Sequence, residues 1–156
     1  MKISGSVIGK PKPKVVVIPR GDERFVFKVG PVTDWDTFSK LCPEPKIVYI
    51  TKPGQAAEPD LQDKKYQEQL NDYMLKRVNY MFIYSLLGYT EGLEFEHINP
   101  ADPSTWDKLA DEFTNTGLTG VETNIIFNAI KEVNGLSPEL IEEATQSFLR
   151  NQALQA

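Results

Sequence analysis

The sequence predicts an α+β fold, predominantly α: a small N-terminal β hairpin or sheet, then a helical domain of about four helices around a long central helix. Two short runs near the start, Val15-Val16-Val17-Ile18 and Phe25-Val26-Phe27-Lys28-Val29, are β-branched or aromatic and flank a polar turn. Residues 63–87 carry apolar and tyrosine side chains at alternating steps of three and four, the spacing of a helix face. Three shorter periodic segments follow, each bounded by capping or stop residues. The resulting division is a β-rich segment with one short helix over 1–52, a linker over 53–60 and a helical domain over 61–156.

Each element has its own local signal. Pro19 ends the first run, Gly30-Pro31 the second, and Arg20-Gly21-Asp22-Glu23 joins them as a hairpin turn. An isolated hairpin is marginal in water, so this one must pack on the rest of the chain or on a partner. Residues 34–41 read as a short helix capped by Thr33 or Asp34, with Trp35, Phe38 and Leu41 on one side and Cys42-Pro43 as the stop. Lys46-Ile47-Val48-Tyr49-Ile50 reads as a third strand. Two prolines and a glycine in residues 52–60, without a large apolar side chain, read as a linker.

The long helix is amphipathic at first, through Tyr66, Leu70, Tyr73, Arg77, Tyr80, Tyr84 and Leu87. From Tyr80 to Leu87 it is apolar on every side, which marks a helix covered all round and closed by Gly88. A strand is the other reading of that last stretch. Pro103-Ser104-Thr105-Trp106 opens a helix ended by Gly117. Thr119 and Glu122 form a capping box for the next, with Val121, Ile125, Ala129 and Val133 as its apolar face, Ile126 and Ile130 beside them, and Asn134-Gly135 as the stop. Ser137-Pro138 opens the last helix, with Ile141, Ala144 and Phe148 directed inward.

Charge and composition narrow the function. The chain has 156 residues, 40% apolar and 25% charged, the balance of a globular protein. Residues 1–60 carry a charge of +3 and residues 61–156 one of −8. An acidic body argues against nucleic-acid binding. Lys2, Lys10, Lys12 and Lys14 form a basic start, read as a solvated terminus before a nucleic-acid arm because no aromatics interleave them. No apolar run reaches the roughly 20 residues of a membrane span, and the first residues lack a secretory signal. Cys42 is the only cysteine, so no intrachain disulfide forms. These features lead us to expect a cytoplasmic protein, of a bacterium or of a cell making it for a virus.

No arrangement of residues points to a catalytic cycle, and no cofactor or metal is expected. Glu91, Glu94, Glu96 and His97 could together hold a divalent cation, but alternation with Leu93, Phe95 and Ile98 reads better as the wet side of a strand-like loop. Gly5-Ser6-Val7-Ile8-Gly9-Lys10 falls short of a phosphate-binding loop: three residues separate its glycines, and Pro11 stands where a magnesium-binding hydroxyl belongs. Cys42, followed by proline and far from the single histidine, reads as a structural thiol. The aromatics, 10% of the chain, say more. Tyr66, Tyr73, Tyr80 and Tyr84 share a helix face that suits either a protein interface or a tyrosine-lined core edge.

Across residues 30–150 the sequence resembles the tail assembly chaperones of long-tailed, siphovirus-like bacteriophages. The resemblance is carried by Trp35-x-x-Phe38-x-x-Leu41-Cys42-Pro43-x-Pro45, by Tyr66 and Tyr73 leading to Arg77, by Ser85-Leu86 and by Gly92-Leu93-Glu94-Phe95-Glu96. It continues through Pro103-x-x-Trp106, Gly117-Leu118-Thr119-x-x-Glu122, Asn134-x-Leu136, and a terminal helix with Glu142, Ala144 and Phe148-Leu149. It implies a non-catalytic protein of the host cytoplasm that coats the tape measure protein, keeps it soluble while major tail (tube) protein subunits are recruited, and leaves before the virion is complete. A holder of a long amphipathic helical client needs an adaptable apolar groove. Trp35, Phe38, Tyr66, Tyr73, Tyr80 and Met81 are the candidate protein-binding residues for it. A homo-oligomer is a further possible assembly. The alternative reading is a structural virion component, a tail, neck or capsid-associated subunit.

Overall fold

The computed structural model of the chain describes residues 1–9, 11–135 and 138–155, with backbone alone for 138–141. Lys10 of the basic start, Leu136, Ser137 and the Ile141 side chain therefore lie outside the described residues. The fold is α+β, with small antiparallel strand pairs at the N-terminus followed by a helical region.

Lys2–Ile3 (β1) and Ser6–Val7 (β2) form a small exposed hairpin. Lys14–Arg20 (β3) and Glu23–Val29 (β4) form the main one, in register from Lys14 opposite Val29 to Arg20 opposite Glu23. Gly21 takes a φ of +59° at its turn. Pro19 lies inside β3 rather than ending it. It sits opposite Arg24 in a pair that exchanges no ladder hydrogen bonds, so its missing N–H is not needed. Ile18 and Val29 are buried, and Val16 and Phe27 half-buried, on one face, while Val15, Val17 and Val26 stay exposed on the other. The covered face lies against the helices, which answers where the hairpin packs.

Asp36–Leu41 (α1) follows. Asp34 caps it by accepting hydrogen bonds from the Thr37 backbone N–H at 3.1 Å and the Thr37 hydroxyl at 2.6 Å. The third strand is shorter than expected: only Tyr49–Ile50 (β5) is extended, paired with Glu58–Pro59 (β6), so the segment read as a linker contributes a strand.

Lys64–Leu87 (α2) is the central helix, capped by Asp63, which accepts from the Tyr66 N–H at 2.8 Å. Its apolar end is covered all round, with Tyr80, Met81, Phe82, Ile83, Ser85 and Leu86 buried. A 3-10 turn over Pro103–Lys108 leads into Leu109–Thr116 (α3), stopped by Gly117 at φ +93°. Gly120–Val133 (α4) opens with the capping box, Thr119 Oγ1 accepting from the Glu122 N–H and Glu122 accepting from the Thr119 N–H.

Two helix faces differ from the sequence reading. α4 buries Ile126, Ala129 and Ile130, whereas Val121 is 71% and Ile125 49% exposed. Both stripes are apolar, and the hairpin and α2 select the one they can reach. Pro138–Gln155 (α5) packs inward with none of its described side chains: Ala144 and Phe148 are exposed, as is every residue from 142 to 155.

Polar contacts fasten the hairpin to the helices. Arg20 donates to Glu122 Oε1 at 2.8 Å and to the Gly117 carbonyl at 3.0 Å, and Lys14 pairs with Glu132. Asn134 accepts from the Val32 N–H at 2.9 Å and donates to the buried Ser85 hydroxyl at 2.8 Å. Gly30 is required by close approach, since a Cβ there would lie 2.3 Å from the Tyr89 ring.

Candidate protein-binding site

Five of the six residues expected to bind a client come together, but inside the fold. Phe38, Tyr66, Tyr80 and Met81 are buried, and Trp35 and Tyr73 half-buried. Apolar residues on the inner sides of α1 and α2 place five of them in or against the core cluster; Tyr66 lies outside it, near the start of α2. Tyr80 is the hub, with ring centroids 5.4 Å from Trp35, 5.2 Å from Phe38, 4.1 Å from Tyr84 and 5.6 Å from Trp106. Phe38 adds Tyr73 at 5.4 Å, and the Arg77 guanidinium covers the Trp35 ring at 4.7 Å. The Tyr80 hydroxyl donates to the Asp34 carbonyl, and burial pushes its pKa up to about 12. Of the two readings of the tyrosine face, the structure realises the core edge. The rings of Trp35, Phe38, Tyr73 and Tyr80 pack on one another, and of the six residues Trp35 and Tyr73 alone keep a partly exposed side chain.

The other chemical candidates resolve similarly. Among the described residues no three His, Cys, Asp or Glu side chains form a group that could hold a metal ion. The acids around His97 follow the loop reading: Leu93 and Phe95 are half-buried while Glu94 and Glu96 are exposed. The loop is pinned by a more distant acid, the buried Glu112, which accepts from the backbone N–H groups of His97 and, at 3.0 Å, Ile98. The Cys42 thiol is buried, and burial raises its pKa above that of a free thiol, which makes it a poor nucleophile. No helix among the described residues is long and apolar enough to cross a membrane.

What faces outward is different. α2 exposes Met74, Leu75 and Val78, grouped on one side near its middle. α5 exposes Phe148, Leu149 and Leu154, at 59%, 51% and 84%. A cleft of about 660 Å³ opens between β4 and the segment after α2, with Phe25 and Phe27 on one side, Leu93 and Phe95 on another, and Phe113 and Leu118 toward α3. Sequence reasoning missed this cleft because its walls come from segments some 60 to 90 positions apart. The one local signal was Leu93-Glu94-Phe95-Glu96, whose alternation marks a segment with one wet side. No protein-family model, curated protein or solved structure matches this chain.

Proposed function

We propose that the protein is a non-catalytic assembly chaperone that holds an elongated helical client, the tape measure protein of a long-tailed bacteriophage, while tube subunits are recruited around it in the host cytoplasm. The observation that carries this reading is the uncovered state of α5 over residues 142–155. Most helical stability in proteins comes from packing an apolar face rather than from propensity. A helix that presents Phe148, Leu149 and Leu154 to water is completed by another polypeptide. The exposed Met74, Leu75 and Val78 of α2 offer a second helical surface of the same kind, the type that receives an amphipathic helix. The acidic second half keeps such a holder soluble, and the sequence resemblance supplies the client's identity.

The test is co-expression of the full chain with the tape measure protein of a long-tailed bacteriophage, read by size-exclusion chromatography with light scattering. A soluble complex is expected, lost in the double variant Phe148→Asp, Leu149→Asp while that variant keeps the parent's circular dichroism. Aggregation of the client despite the chaperone would overturn the reading. Stoichiometric presence in finished particles, measured by mass spectrometry, would replace it with the structural-component reading.

A further inference from the structure

We infer that the outer edge of β4 binds an extended segment of a partner protein as a third strand, and that this segment alternates apolar and acidic residues. The Lys28 N–H donates to the Thr90 hydroxyl at 3.0 Å, and that hydroxyl donates to the Lys28 carbonyl at 2.8 Å. Both backbone groups of Lys28 therefore point away from β3. In an antiparallel pair this direction alternates, so Val26 and Arg24 also turn their N–H and C=O groups outward. Pro19, directly opposite Arg24, agrees independently, because a residue without an N–H fits only where the pair exchanges no ladder bonds. Thr90 satisfies Lys28. Among the described residues no group outside the hairpin satisfies Val26 or Arg24.

The cleft lies along this edge. Five consecutive residues, Arg24 to Lys28, line it. Side chains of a strand alternate between faces, so only an approach to the edge touches all five. Its volume of about 660 Å³ is that of a peptide or ligand site. The edge from Arg24 to Lys28 spans about 13 Å, at roughly 3.3 Å per residue, and Thr90 closes one end. Natural proteins usually block such an edge; here only the Lys28 position is blocked.

Chemistry then sets the occupant. On the face of β4 that carries buried Val29, an added strand would place alternate side chains beside Phe25 and Phe27 and against Leu93 and Phe95, an apolar setting. Its other side chains would flank Arg24 and Val26, with the Lys28 side chain at the end that Thr90 closes. Arg24 and Lys28 are exposed and form no ion pair among the described residues. Opposite charges favour each other across strands, so acids belong at those positions. The exposed Glu91 and Glu94 line the cleft as well, and they exclude acids from the inward-facing positions.

The experiment is calorimetric titration of the full chain with the blocked hexapeptide of alternating leucine and glutamate, and with two versions N-methylated at all leucines or at all glutamates. In a strand, residues of one facing send their N–H groups to one side. Strand addition therefore predicts that one N-methylated peptide loses at least tenfold in affinity while the other binds like the parent. Equal behaviour of the two, or no binding of the parent peptide at millimolar concentration, would overturn the proposal. An alternating leucine–lysine peptide should bind at least tenfold more weakly, and equal binding would remove the acidic half of the assignment. Val26→Pro, which removes an outward N–H only, should reduce binding tenfold. A self-association of the chain that Val26→Pro abolishes would put a second copy in the partner's place and overturn it too. Phe148→Asp, Leu149→Asp should bind the hexapeptide as the parent does, so failure here and failure of the chaperone reading are told apart.

Discussion

The second half of α2 and α5 from residue 142 onward are both helices with aromatic and aliphatic side chains, yet one is sealed and the other bare. From Tyr80 to Leu86 nearly every side chain is buried, under α1, the hairpin, the 3-10 turn and α4. From 142 to 155 every side chain is exposed. The difference lies in density. Six of the eight residues over 80–87 are large and apolar besides Tyr80 itself, so neighbours can close on every side. α5 spreads Phe148, Leu149 and Leu154 among glutamates and glutamines, enough to want one contact and too little to found a core. Burial within the chain marks the part that makes the fold, and exposure marks the part that the proposed function assigns to other molecules.

Substitutions can break that comparison, starting with the largest effect. Trp106 is fully buried against Phe38 and Tyr80, so Trp106→Ala should lower unfolding free energy by about 3–5 kcal/mol, measured by urea denaturation. A loss below about 1 kcal/mol would mean the aromatic cluster is not the core. Gly30→Ala drives a methyl into the Tyr89 ring and should cost about 1–3 kcal/mol by the same measurement. At the bare end the expectation reverses: Phe148→Asp should change the stability of the chain alone by no more than about 0.5 kcal/mol. A larger loss would show that α5 is covered after all.

A smaller, pH-dependent effect sharpens the picture at the hairpin tip. Glu122 is held below the usual carboxylate range, chiefly by its hydrogen bond from Arg20, and Asp34 and Asp102 by those from Thr37 and Ser104. A depressed folded-state pKa adds stability above the unfolded value, and that stability disappears as pH falls through the folded value. The urea midpoint should therefore drop as pH is lowered from about 5 toward 3. Glu122→Gln should flatten that slope, and an unchanged slope would remove the Arg20 contact from the account.

Local chemistry was legible in the sequence, and choices between competing surfaces were not. The capping box at Thr119 and Glu122, the cap at Asp34 and the hairpin runs are settled within a few residues, so they could be read directly. The apolar face of α4 could not, because Val121 and Ile125 offer a stripe beside that of Ile126, Ala129 and Ile130, and only the position of β3 and α2 decides. Likewise Tyr80 and Phe38 suit an interface as well as a core until Trp106, far along the chain, is set against them. Strand β6 was hidden because glutamate and proline carry no strand preference and Pro59 pairs only through the approach of Tyr49. The β4 cleft depends on Thr90 meeting Lys28 across 62 positions, which no periodicity encodes.

The anchoring of Arg20 to Glu122, 102 positions apart, also orders events during synthesis. A ribosome adds about 5–20 residues per second, so the hairpin emerges some 5–20 seconds before its landing site on α4 exists. Through that interval Phe27 and Val29 face solvent or whatever nascent-chain holder is at hand. β3 and β4 are thus made well before α4 can roof them, and slow translation prolongs the period in which they can stick to their neighbours.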